Sequence, residues 1–259
     1  MSREELAESA SGRAGWDSAT RDRIVRGAAE LVVRLGVAGA SIERVRAASG
    51  VSRSQVCRYF PTKEALIDAV VDFQIAAVLA RQCSWLARLE SLADLQEWAG
   101  DVVEFNRVRN GARGCPLGSL VSQLAEQSGP MRAKLDHAFQ TWQSYLAAGL
   151  GRMRDRGELN SEADVAELAT GVVAALQGGL ILAQAARSEN PLRAALDLAV
   201  GRVALAAHSA RPVAPAQVHG TSETGAEVST GPQSGSAPPS RTCPGKPERR
   251  ADRPSDSNG

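Results

Sequence analysis

The sequence predicts an all-α fold of about nine helices, with a three-helix N-terminal head on a larger helical C-terminal body. Three observations predict it. Pro61, Pro116, Pro130 and Pro191 each precede a long helix-type pattern, and none interrupts one. Proline suits the first helical turn, where its missing N–H would lack an intrahelical partner anyway. No run alternates apolar and polar residues between turn residues, so strand signals are nearly absent. Apolar residues fall instead on single helical faces, as Ile24, Ala28, Leu31, Val32 and Leu35 do.

Taken in order, the first helix is expected over 20–35, with Gly36 as its stop. Ser41 is a good N-cap for a second helix that ends at Gly50, and Ser52 opens a third that runs to Tyr59. The fourth is long, from about Thr62 to Leu89, and the fifth covers about Leu92 to Arg109. The sixth follows Pro116, and the seventh runs from Pro130 to about Arg156. The eighth is placed over 161–187 and the ninth from Pro191 to about His208. This divides the chain into a flexible start (1–19), a head (20–66), a body (67–208) and a tail (209–259). From Arg211 onward the chain holds eight of the twelve prolines and no aromatic residue. Such a segment buries too little apolar surface to offset its ordering entropy, so disorder is expected.

Composition excludes several classes. Hydrophobic residues make up 43% of the 259, enough for a real core. No stretch of about 18 apolar residues is free of charge, and the acidic N-terminus lacks an apolar signal core, so no membrane association is expected. Cys57, Cys83, Cys115 and Cys243 stand far apart with no Cys-x-x-Cys pair, which argues against a bound metal and fits a reducing cytoplasm. No cofactor is expected: Gly111, Gly114 and Gly118 follow no strand, and no phosphate-binding Gly-Lys-Ser/Thr loop occurs. With histidine only at 137, 208 and 219, no Ser/His/Asp set stands out, and no catalytic residue is assigned.

The net charge of +1 is a cancellation. Between Thr20 and Lys63 nine basic residues face three acidic ones, a local excess of six. The tail carries six basic against five acidic residues, so the rest of the chain must carry −6. A basic head on an acidic body is the footprint of a nucleic-acid reader. Within the head, two short helices meet at Gly50, and Val45, Val51 and Val56 are spaced to lock them together. Arg53, Ser54, Gln55 and Arg58 project from the early turns of the second, a helix-turn-helix arrangement in which that end enters the major groove.

The run Val51-Ser-Arg-Ser-Gln-Val-Cys-Arg-Tyr-Phe-Pro-Thr-Lys-Glu-Ala-Leu66 resembles the signature of the TetR/AcrR transcriptional regulators. Gly114-Cys-Pro-Leu-Gly118 and Leu176-Gln-Gly-Gly179 resemble elements of one subgroup's ligand domains. The resemblance implies a cytoplasmic bacterial regulator, a homodimer on a palindromic operator in double-stranded DNA, with a small-molecule effector. By position it implies phosphate contacts from Ser41, Tyr59 and Lys63, and base reading from Arg53, Ser54, Gln55 and Arg58. Arg44, Ser52 and Cys57 complete the expected DNA surface. The chemistry agrees, since Arg suits guanine and Gln suits adenine as bidentate partners, while phosphate contacts set register. Two residues depart from the family pattern: Cys57 replaces a common aromatic residue, and Arg46 replaces a small alanine.

The resemblance also implies an effector cavity in the body. Trp85, Trp98, Phe105, Phe139 and Trp142 are the expected walls, with Gln123 and Gln177 among the polar groups that could converge there, as could Asn106 and Gln143. Read without it, the same aromatic residues are core. The low charge of that lining favours a small hydrophobic ligand, and release of the operator is the expected response. Cys115, at a helix N-terminus beside Pro116, is a candidate redox or electrophile sensor if the helix dipole favours its thiolate, and otherwise a buried structural thiol. Small residues fill the eighth and ninth helices, and the resemblance makes these the dimer interface. Competing readings are an enzyme on a helical scaffold and a ligand-free architectural DNA binder.

Overall fold

The computed structural model describes the backbone over residues 3–208 and side chains over 18–207. The expected tail lies outside the described residues. Those described form nine helices and no strand: α1 (Arg3–Gly39), α2 (Ile42–Ser49), α3 (Arg53–Tyr59), α4 (Lys63–Leu86), α5 (Leu92–Arg107), α6 (Pro116–Leu124), α7 (Gly129–Asp155), α8 (Val165–Ala186) and α9 (Asn190–His208).

The largest difference from expectation is at the start. α1 begins at Arg3 rather than near Thr20. The added stretch holds no proline and several Ala, Glu and Arg residues, which lose little freedom in a helix. The expected stop is present inside the element, because Gly36 sits at φ 74°, ψ 173° and breaks the helical path. Only glycine takes that conformation without cost. α8 starts at Val165 rather than Ser161, because Asp164 caps it by accepting from Ala166 N and Glu167 N, each at 3.0 Å. α4 stops short of Leu89. There the Arg152 guanidinium, from α7, donates to the carbonyls of Leu86, Ala87 and Leu89 at 2.9–3.2 Å, giving free helix-end carbonyls a partner.

The core of the head is small and apolar. Ile24, Ala28, Val45 and Val56 are fully buried, with Val51 and Phe60 nearly so. α1 packs on α2, α4 and α6, so the head is seated on the body as well as continuous with it through α4. In the body α4 packs on α7, α7 on α8, and α9 runs back along α8. Gly179 permits that last approach: a Cβ there would stand about 3.0 Å from Leu192. By length and composition α8 could cross a membrane, with mean hydropathy 1.7, which the sequence reading did not anticipate. Only 33% of its most apolar window is buried within the chain.

Candidate functional site

Two surfaces carry chemistry: the exposed side of α3 and a cavity in the body.

α3 is held from behind and capped in front. Val56 turns inward, while Ser52, Arg53, Ser54, Cys57 and Arg58 are exposed. Ser52 and Gln55 form a capping box: Ser52 Oγ accepts from Gln55 N at 3.2 Å, and Gln55 Oε1 accepts from Ser52 N at 2.9 Å. This changes the expected role of Gln55. Bidentate recognition of adenine needs both ends of its carboxamide, and here the oxygen already completes the cap. Ser54 Oγ lies 3.0 Å from Ser52 Oγ. Arg53 reaches back to α2, where Nη1 donates to Glu43 Oε1 at 2.8 Å, and the same carboxylate group accepts from Arg46 Nε at 3.3 Å. Arg46, the departure in α2, is thus paired with an acidic neighbour.

The remaining head residues take positions around this helix. Ser41 caps α2 and accepts from Arg44 N at 3.4 Å, while Arg44 Nη1 donates to Gly39 O at 3.0 Å. Arg58 lies over the Tyr59 ring at 4.8 Å and donates to its hydroxyl at 2.7 Å. Lys63 opens α4 beside its cap Thr62. The structure therefore gathers the expected set, Ser41 through Lys63, on the α2–α3–α4 entry. It adds Glu43, which sequence reading passed over because a lone acid in a basic stretch gives no motif.

The body cavity has a volume of about 310 Å³, at the small end of the ~300–1,000 Å³ typical of ligand sites. Phe105, Trp142 and Asn106 line it, as do Gln74, Gln82 and the apolar Val102, Leu176 and Leu180. Trp85, Trp98, Gln123, Phe139 and Gln177 do not. Trp98 is core and donates through Nε1 to Gln82 Oε1 at 2.9 Å, one layer behind the wall. Phe139 is likewise behind, stacked on Trp142 at 6.2 Å. Trp85 is half-buried with the Arg88 guanidinium 5.5 Å from its ring. Gln123 has a different place: Oε1 accepts from Val37 N at 2.7 Å, just past the Gly36 break, while Nε2 donates to Ser119 O. It ties α6 to the end of the first head helix. Gln177 packs beside Gly118 and Cys115.

Three arginines at the cavity, Arg81, Arg109 and Arg113, were not expected there. Arginine is the common base of this chain, so their number hid their grouping. Cys115 is the N-cap of α6 without a side-chain capping bond. Burial pushes its thiol above the ordinary value, and hydrogen bonds involving Gly118, Gln177 and Leu117 only partly offset this. The helix terminus thus does not produce a ready thiolate. Among the described residues no group of three or more His, Cys, Asp or Glu could hold a metal.

Comparison with known proteins covers both parts. Residues 24–70 match the model of the bacterial regulatory proteins of the tetR family, and residues 86–199 match that of the tetracyclin repressor-like C-terminal domain. Together these span more than half of the chain. A relative, an uncharacterised helix-turn-helix transcriptional regulator in the lacX 3′ region of Lactococcus lactis subsp. lactis, is 26% identical over 187 residues. That match covers 69% of this chain and 90% of the relative. A TetR transcriptional regulator of Chloroflexus aurantiacus superposes with a TM-score of 0.64 at 23% identity, covering 72% of this chain and 95% of that one. A regulatory protein TetR of Rhodobacter sphaeroides does so with 0.63 at 21%, covering 70% and 96%. At such identities the two structures speak to fold alone.

Proposed function

The chain belongs to the TetR family of bacterial regulatory proteins, and from that premise we propose that it is a repressor released by a small hydrophobic effector. It acts in the cytoplasm as a homodimer on a palindromic operator. The observation that carries this reading is the face of α3: Arg53, Ser54 and Arg58 exposed on a helix whose other side is locked by Val51 and Val56. A helix so anchored presents its early side chains rigidly, as base reading in the major groove requires.

The dimer is supported by α8 and α9. Ile181, Leu182 and Leu198 are each at least 60% exposed there, beside a groove floored by Gly171, Ala175 and Ala199. So much apolar surface on two neighbouring helices fits a partner copy. Two heads joined this way reach half-sites about 34–36 Å apart. The cavity touches α4 at Gln74, Val78 and Gln82, and α4 begins at the head. An effector that favours one tilt of α4 shifts the dimer from the DNA-competent state, and ~1–3 kcal/mol of coupling is typical.

Selection of bound DNA fragments followed by sequencing tests the reading. A palindromic consensus is the expected product, and recovery of fragments without any shared sequence would sink it. With the operator known, Arg53→Ala relaxes base preference at one position, while Lys63→Ala weakens all sequences about equally. The raised thiol and burial of Cys115 work against a sensing role for it.

A further inference from the structure

We propose that the body cavity takes a small molecule with an apolar body and an oxyanion head group, a carboxylate or phosphate. Arg81, Arg109 and Arg113 hold the head at the mouth, and Trp142, Leu176 and Leu180 seat the body. The inference rests on the reading of this cavity as the effector site, and it narrows the small hydrophobic effector to one that also carries an anionic head.

Charge is the first argument. The lining holds three arginines and no carboxylate. Among the described residues only Asp101 pairs with any of them, at 3.2 Å from Arg81. The guanidinia of Arg81 and Arg109 each lie 3.3 Å from the centre of the Phe105 ring, so they stack on its two opposite faces at the edge of the cavity. Like charges gathered so closely repel: the Arg109 value is lowered by burial first, and then by Arg81 and Arg113. An oxyanion at the rim beside them offsets that repulsion and accepts hydrogen bonds from the forked guanidinium N–H groups.

Backbone conformation is the second. The loop from α5 to α6 passes through left-handed backbone at Asn110, Gly111, Arg113 and Gly114. Arg113 at φ 74° is unusual for a residue with a side chain, and such strain collects at ligand clamps. This path is what brings Arg109 and Arg113 to one rim.

The inner wall supplies the third. Trp142 Nε1 and Asn106 Oδ1 are buried and have no hydrogen-bond partner among the described residues, and both residues line the cavity. A buried polar atom left so is costly unless something else satisfies it. The cavity thus has a largely apolar interior that opens through a cationic rim.

Isothermal titration of the full chain, without DNA, tests the inference. The probes are octanoate, octyl phosphate and octanamide, with 2-naphthoate and 2-naphthamide as an aromatic pair. At least one anion is expected to bind about tenfold more tightly than its neutral counterpart. That preference should disappear in Arg109→Gln/Arg113→Gln, whose sites are exposed and whose melting temperature checks the fold. Which octyl anion binds more tightly identifies the head group. Equal or tighter binding of the amides, no binding by any probe, or an unchanged preference in the double variant would overturn the proposal. The regulator reading is judged separately, by whether the tightest probe releases the operator. Binding without release leaves the anion site standing and removes its role as effector site.

Discussion

Glu43 is a single carboxylate in a basic head, and it determines where Arg53 points before DNA arrives. Exposed pairs of this kind add little stability, so its value is geometric. Glu43→Gln frees Arg53 and deletes a negative charge near phosphates. Binding to scrambled duplexes should therefore rise while the ratio of operator to scrambled affinity falls, as gel-shift titrations would read. An unchanged ratio would mean that Arg53 is positioned by the DNA instead. Cys115 gives a second prediction at this scale. A thiol raised above its ordinary value in the folded protein is neutral there, and it stabilises the fold at neutral pH. That contribution is lost as pH rises through the elevated value. Alkylation followed by peptide mass spectrometry should modify exposed Cys57 first, and Cys115 only well into the alkaline range. Prompt labelling of Cys115 at neutral pH would count against this.

Between elements, Gln123 is the joint that sequence reading misplaced. Its carboxamide bonds α6 to the segment after Gly36, so head and body share a hydrogen bond where α1 ends. Gln123→Ala leaves Val37 N–H without its partner at a cost of about 1 kcal/mol. For a protein of this size that lowers the melting temperature by roughly 2–4 °C. Gln123→Glu retains the acceptor and should melt near the parent protein. If the alanine variant melts no lower, the bond does not hold the joint. Helix identities and most ends were legible, because caps and stops are local: Ser41, Gly50, Ser52 and Pro116 act on their own turns. Gln123 and Arg152 were not legible, because each bonds an element more than sixty residues away.

At the scale of the molecule, α8 and α9 bear an apolar face that the described residues leave exposed. Leu198, 79% exposed, stands on it. Leu198→Glu places a charge there, and sedimentation should show the dimer giving way to monomer, with operator affinity falling in step. A variant that stays dimeric would place the interface elsewhere. The sequence by itself determined the helix order, the helix-turn-helix and the charge asymmetry between head and body. These follow from periodicity, capping and composition, which act within a few residues. Only the tertiary structure decided which aromatic residues face the cavity, and that Arg81 on α4 meets Arg109 and Arg113 of the loop after α5 at one rim. Those outcomes depend on how helices turn against each other, and an even spread of arginines along a chain carries no trace of which ones converge.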